Sequence, residues 1–414
     1  MHTPSRLHWI SIGLGLALVT TFSAPAASGD WPQWRGPKRD GLSTETGLLK
    51  EWPTNGPALL WKATGLGAGH GGVAVVGGRI FTTGDKGESS FLVAVEGGDG
   101  TVAWTARIGR PGGGPPGPRS TPTVDGDLIF CLGQHGELVG VESATGKEVW
   151  RKHLVKDFGG KCGGWLYSES PLVDGDRLIC TPGSERGTLL ALDKKTGALL
   201  WQTAGLTDSA EYSSPMVVTI GGVRQYVQLT GRSVAGVAVD GRLLWRAERK
   251  GRTATVPTPI VHNDQVFVTS GYGVGCNLFK ISKDGDTFNA EQVYANKNMA
   301  NHHGGVVLVD GHLYGHNDRE WVCQNLQTGA IVWSNRGVGK GAVVYADGHL
   351  YTRSESGKGR MALVEATSKG YVEKGRFEQP DRSKENSWPH PVIAGGKLYL
   401  RDQDVLLCYD VKQK

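Results

Sequence analysis

The chain is poor in cysteine and methionine, with six and four among its 414 residues. No two cysteines form a Cys-x-x-Cys pair, which excludes a haem attachment site, a zinc ribbon and a thioredoxin-like motif. So few cysteines at this length also exclude a disulfide-stapled scaffold. Blocks of like charge are missing too. The 45 basic and 40 acidic side chains leave a net charge of only +5, so neither a nucleic-acid-binding tail nor an acidic arm is present. Gly-x-Ser-x-Gly, Ser-x-x-Lys and His-Glu-x-x-His are absent, and with them the common hydrolase signatures. Past residue 26 there is no run of about 18 apolar residues that could cross a bilayer as a helix.

Residues 1–26 have the layout of an export signal. Arg6 supplies the positive start, Trp9 to Phe22 a short apolar stretch, and Ala24-Pro25-Ala26 a small-x-small cleavage site. The expectation is an exported protein, periplasmic or extracellular, cleaved after Ala26, monomeric and without a transmembrane segment in its mature chain.

What is abundant is glycine, at 63 residues, and tryptophan, at 13. Both recur periodically. Val124-Asp125-Gly126-Asp127-Leu128, Val173-Asp174-Gly175-Asp176-Arg177, Val309-Asp310-Gly311-His312-Leu313 and Ala346-Asp347-Gly348-His349-Leu350 each place Asp-Gly between apolar runs. That is the strongest short hairpin signal. Looser copies at Val76, Ile220, His262 and Ile393 bring the total to eight. Each of the first seven hairpins is followed by a second turn and a strand that ends, in five of them, in tryptophan. These are Trp104, Trp150, Trp201, Trp245 and Trp333, with Phe288 and Tyr371 read as the replacements in two copies. Successive markers lie about 45 residues apart, the length of a four-stranded propeller blade.

The last hairpin runs out of chain before its fourth strand, whereas Ala58-Leu59-Leu60-Trp61 stands alone upstream of the first. Pairing the two removes both open edges. The expected fold is therefore all-β: an eight-bladed β-propeller of four-stranded antiparallel blades, its ring closed by the N-terminal strand in the last blade. The expected division is an extension over 27–57 and a propeller domain over 58–414. Trp61, Trp104, Trp150, Trp201, Trp245 and Trp333 are the expected blade-docking residues. Cys131 and Cys180 fall at matching places in neighbouring repeats, and both a bridge and two buried thiols remain open.

Asp193-Lys194-Lys195-Thr196-Gly197-Ala198-Leu199-Leu200-Trp201 matches the D-x-x-T-G-x-x-x-W signature. In this the chain resembles, from Leu59 to about Val411, the pyrroloquinoline-quinone (PQQ) repeat propellers. That family holds quinone-dependent alcohol dehydrogenases as well as the propeller lipoprotein of outer-membrane barrel assembly, BamB. The opening Asp30-Trp31-Pro32-Gln33-Trp34-Arg35-Gly36-Pro37 and Asp40-Gly41-Leu42-Ser43 is similar to the leader of a large exported bacterial group with these repeats, and reads as an aromatic strap packed over the ring.

Residues just before each innermost strand converge on one mouth of a propeller channel. Here they include His70, Arg119, Glu169, Tyr212, Asn301, His302, His303, Lys340, Trp388 and His390. The dehydrogenase resemblance implies PQQ with calcium, for which Glu169, Asn301, Lys340, Trp388 and Arg119 imitate parts of the set. It also implies a vicinal disulfide and a catalytic aspartate, and neither is found. Glu169, Asn301, His302 and His390 are the weak metal candidates. Gly67-Ala68-Gly69-His70-Gly71-Gly72 satisfies G-x-G-x-x-G but leads into a strand, so it fails as a dinucleotide site. The functional expectation is a non-enzymatic binding or scaffolding protein, its partner a protein or a small polar ligand. The alternative is a PQQ-dependent alcohol or sugar oxidoreductase with its site at the channel mouth.

Overall fold

In the computed structural model the described residues are 29–251 and 254–414, so the export signal lies outside them. The hairpins form where the Asp-Gly and Gly-Gly pairs demand. Asp310-Gly311 and Asp347-Gly348 carry positive φ at both central positions (47° and 75°, 49° and 83°), as a type I′ turn requires. In two other copies the turn sits one residue later, on Gly126-Asp127 and Gly175-Asp176, where only the glycine is left-handed.

Eight antiparallel four-stranded blades follow in chain order, the first seven spanning 74–109, 123–153, 172–202, 216–248, 260–296, 306–335 and 341–378, the seventh extended by the short parallel strand Leu42–Ser43. The eighth joins Val392–Ala394, Lys397–Asp402 and Val405–Asp410 to the N-terminal strand Ala58–Ala63, with Ala58 opposite Asp410 and Ala63 opposite Leu406. The ring is thus an eight-bladed propeller closed by both ends of the chain. Its one helix among the described residues, Leu154–Phe158, is a single turn between the second and third blades.

In all eight blades the pairing of the third and fourth strands slips by a bulge. The bulged residues Leu60, Val149, Leu200, Val293 and Val332 are exposed, and an aromatic follows each. A bulge re-aims the side chain after it and spoils the outer edge for pairing with another chain. The aromatic is thereby turned onto the next blade. Trp61, Trp104, Trp150 and Trp201 lie against Gly100, Gly146, Gly197 and Gly241, where an added Cβ would come within 3 Å of the indole. Trp150 and Trp201 also donate Nε1 to Lys194 O (2.9 Å) and Val239 O (3.0 Å) of the following blade. Trp333 donates to Thr367 O at 2.8 Å. Trp245 differs: it donates to Gln225 of its own blade and packs in the cluster shared with the fifth blade.

The bulge also corrects two assignments. In the fifth blade the hairpin Gly275–Asp284/Thr287–Asn296 is longer than its siblings, and the residue after the bulge is Tyr294, not Phe288. Tyr294 packs on Gly329 and donates to Leu326 O. In the seventh blade Phe377, not Tyr371, covers the turn glycine of the closing blade, Gly56. Cys131 and Cys180 are separate buried thiols in different core clusters.

The leader does not lie flat over the ring; it enters the channel from the hairpin end, where Asp30 meets Gly77, and leaves by the same end, where Glu45 meets Gly395 and Leu48 meets Asp347. Trp31 exchanges backbone hydrogen bonds with Val75 (2.7 and 2.8 Å), Pro32 O accepts from Val124 N, and Leu42–Ser43 pairs in parallel with Tyr345–Ala346. Arg39 donates to Ser170 O (2.7 Å) and Pro171 O (3.0 Å), and Arg35 to Val306 O (2.6 Å). The free edges of the innermost strands thus find partners in one segment of chain. Beyond it Trp52 packs on Tyr351 and Phe377.

Replacing Trp150, which is buried between two blades, removes an indole and its hydrogen bond. Trp150→Ala should cost about 3–5 kcal/mol in urea unfolding; an unchanged midpoint would remove this contact from the list of blade-docking interactions.

Candidate functional site

With the leader inside the channel, the mouth becomes a blind cavity of about 170 Å³. A separate, wider space of about 610 Å³ lies on the other side of the leader, lined by Pro37, Lys38 and Arg39 and the third to sixth blades. The floor of the blind cavity is the leader's own Trp34, which donates Nε1 to Thr258 Oγ1 at 2.9 Å and tilts against His390 at 4.6 Å.

Loops ahead of the innermost strands bring His70, Arg119, Ser170, Tyr212, His302, His303 and Trp388 into the wall. His70 lies 4.4 Å from the Trp388 ring and His303 5.2 Å from it. His302 and His303 both face the cavity because they sit in a loop, not a strand, their rings 4.5 Å apart. Trp165 and Tyr212 meet at 5.4 Å, and Tyr272 stands at the rim, 4.8 Å from His302. Burial, reinforced by Arg119 and Arg401, takes His70 down to about 3, and burial takes His302 to about 3. Both rings are neutral at ordinary pH. Arg119 donates Nη2 to Pro115 O at 2.8 Å, while its Nη1 is buried without a protein partner among the described residues.

Behind this wall is a charged layer. Lys340 Nζ lies 2.9 Å from His302 Nδ1, 3.3 Å from Asp318 and 3.8 Å from Glu355, and Glu355 lies 2.6 Å from His303 Nε2. Burial raises the Glu355 pKa, but His303 and Lys340 outweigh it and leave the carboxyl below its usual value.

The remaining candidates are committed elsewhere. Glu169 accepts from Thr181 N at 2.6 Å, and burial pushes it up to about 7 against the opposing pull of that bond and of Arg39. Asn301 clips its own loop, donating to Gly305 O and His316 O and accepting from Gly305 N. His390 lies beneath the cavity, its Nε2 2.8 Å from His303 O. The four metal candidates therefore do not converge, and no group of three or more His, Cys, Asp or Glu among the described residues is placed to hold an ion. Glu169 and Asn301, the two donors a calcium–quinone site would need, are absent from the cavity wall. The residues present do not fit that pair.

Sequence reasoning missed Trp165, Tyr272, Asp318 and Glu355, and gave Trp34 a packing role only. The available signal was an aromatic inside a glycine-rich connection, as in Gly163-Gly164-Trp165 and Gly271-Tyr272-Gly273.

The buried groups set opposing pH dependences. His70, His302 and His390 at about 3 and His316 at about 4 lie below an unfolded value of about 6.5. Their contribution is complete above that value and lost as pH falls toward 4. Glu169, raised to about 7, behaves oppositely: its contribution is present below about 4.5 and lost as pH rises through 7. Calorimetry should show melting temperature rising from pH 4 to 6.5, with Glu169→Gln gaining on the parent between pH 5 and 8. A constant gap between the two proteins over that range would rule out this titration.

The profile of the family described as outer membrane protein assembly factor BamB matches residues 53–131 and 88–335. The curated BamB of Kangiella koreensis is 24% identical over 234 residues, covering 52% of this chain and 50% of that protein. That of Escherichia coli K12 is 27% identical over 203 residues, covering 43% and 46%. The chain spans about half the length of the curated relatives it matches. Among solved structures, quinohemoprotein alcohol dehydrogenase from Comamonas testosteroni superposes with a TM-score of 0.65 at 10% identity, over 94% of this chain and 82% of that one. BamB from Moraxella catarrhalis gives 0.52 at 16% identity, over 90% and 95%. At these identities the structures speak for the fold alone. The profile covers well over half of the chain, and with its eight blades the chain belongs to the PQQ-repeat β-propeller family described as outer membrane protein assembly factor BamB.

Proposed function

We propose that this protein is an exported, non-enzymatic binding propeller of the cell envelope that holds a small ligand at its channel mouth. The observation that carries this reading is the blind aromatic cavity, closed from below by Trp34 of the leader. A concave site with mostly apolar walls and a few fixed polar groups is the usual form of a ligand pocket. The relatives' description as assembly factors supports a place in the envelope and a scaffolding role beside it. Among the described residues no serine hydroxyl of the wall is hydrogen-bonded to a histidine. The histidines that do lie there are neutral or already engaged by Lys340 and Glu355.

The dehydrogenase reading keeps one supporting observation, the presence of Trp388 and Arg119 together in the wall. It lacks the metal donors.

A thermal-shift screen of small ring compounds should find ligands that raise the melting temperature of the parent, since a ligand at about 100 times its Kd adds about 2.7 kcal/mol. Trp34→Ala and Trp388→Ala should abolish the shift; equal stabilisation of both variants would place binding elsewhere. Titration with PQQ, with and without calcium, should leave tryptophan emission unchanged. Saturable quenching with dye-linked oxidation of alcohols or sugars would restore the oxidoreductase reading.

A further inference from the structure

We infer that the ligand of the channel mouth is a small aromatic carboxylate, one ring or two fused rings, stacked among Trp34, Trp165, Tyr212 and Trp388 with its carboxylate on Arg119. This rests on the reading of the cavity as a binding site, and it adds shape, size and charge.

Shape follows from the walls. Indole and phenol rings from four separate loops surround the space, and aromatic faces prefer to pack offset or edge-on against another flat ring. Size follows from the volume. At about 170 Å³ the cavity is close to the roughly 150 Å³ that accepts benzene in an engineered protein core. A single ring with a substituent fills it; a three-ring tricarboxylate such as PQQ would extend out through the open mouth.

Charge follows from an imbalance. The wall contains a guanidinium and no carboxylate. Among the described residues Arg119 has no ion-pair partner, and its Nη1 is unsatisfied. The nearest carboxylate influence is Asp85, whose oxygens accept from Gly112 N and the Gln134 side chain. The imidazoles of His70 and His302 carry no charge at neutral pH and do not compete for an anion. Two further wall atoms, Trp388 Nε1 and Ser168 Oγ, are also buried without partners, and both can donate. A partly buried guanidinium gains most from a planar, bidentate acceptor, which a carboxylate is. A cationic ligand would meet like charge. A neutral sugar would leave Arg119 uncompensated and would find few polar groups in these walls.

The test uses the purified protein, isothermal titration and tryptophan emission at pH 7.5. The probes are benzoate, 4-hydroxybenzoate and indole-3-carboxylate, their neutral amides, cyclohexanecarboxylate, phenyltrimethylammonium, glucose and PQQ. The aromatic carboxylates should saturate and the matching amides should bind at least about tenfold more weakly, a loss of about 1.4 kcal/mol. Arg119→Gln should erase the difference between acid and amide while retaining amide binding, which also shows that the variant is folded; Arg119→Lys should fall between. Equal binding of acids and amides by the parent would overturn the carboxylate assignment but leave the pocket standing as a ring site. Preference for cyclohexanecarboxylate, glucose, the quaternary ammonium or PQQ over the aromatic acids would overturn the ligand class in the same way. Failure of every probe to bind would sink both this inference and the binding-site reading beneath it.

Discussion

A four-stranded antiparallel blade leaves two rows of backbone N–H and C=O groups without partners, one along its innermost strand and one along its outermost. Much of this molecule can be understood as disposal of those rows. At the outer edge each blade carries a bulge, which twists the strand, and in six of the eight an aromatic side chain then covers the next blade's turn glycine. At the inner edge several strands borrow partners from the leader, whose backbone serves Val75, Val124 and Tyr345 and whose arginines serve carbonyls of the third and sixth blades. At the seam, the strand Ala58–Ala63 completes the last blade. One requirement thus accounts for the ring, for the turn glycines under the aromatics and for the leader inserted in the channel.

Inserting the leader into the channel has a consequence for chemistry. Arg35 and Arg39 are almost fully buried and are held largely by backbone carbonyls, with burial lowering each to about 10, still protonated at neutral pH. Breaking such contacts leaves an unpaired interior charge, which is costly. The leader is therefore fixed in place, and so is Trp34. The channel is cut into two unequal spaces, and the smaller acquires a floor of indole. A strap that serves the architecture also sets the depth of the site.

The fold was legible because its signals are local. An Asp-Gly pair between apolar runs specifies a hairpin wherever it stands, and the unmatched strand at Ala58 and unfinished blade at the C-terminus point at each other. The misreading of Phe288 came from the same locality: counting from Asp284-Gly285 assumed a hairpin of ordinary length, and the fifth blade's is longer. The site was legible only in part. Register placed His70, Arg119, Tyr212, His302, His303 and Trp388 near one mouth, and they do share a cavity. Register could not tell that Glu169 would turn to Thr181 or that Asn301 would clip its own loop, because those choices depend on backbone groups brought close only in three dimensions. Nor could it reveal Trp34, whose position follows from the depth to which the leader enters the ring.

The distribution of polar groups supports the binding role proposed above. Residues that could hold an ion or activate a substrate are consumed by structure: Glu169 by a backbone N–H, Asn301 by its loop, His390 by His303 O, and Lys340 by Asp318 and Glu355. What the cavity keeps unspent is aromatic surface, one guanidinium, the isolated donors Trp388 Nε1 and Ser168 Oγ, and His303 Nδ1. The rings and the guanidinium define a shape and a charge. Here the mouth of the ring is walled with aromatic side chains and floored by the leader. The blades carry the stability, leaving the loops ahead of the innermost strands free to specify what the mouth accepts.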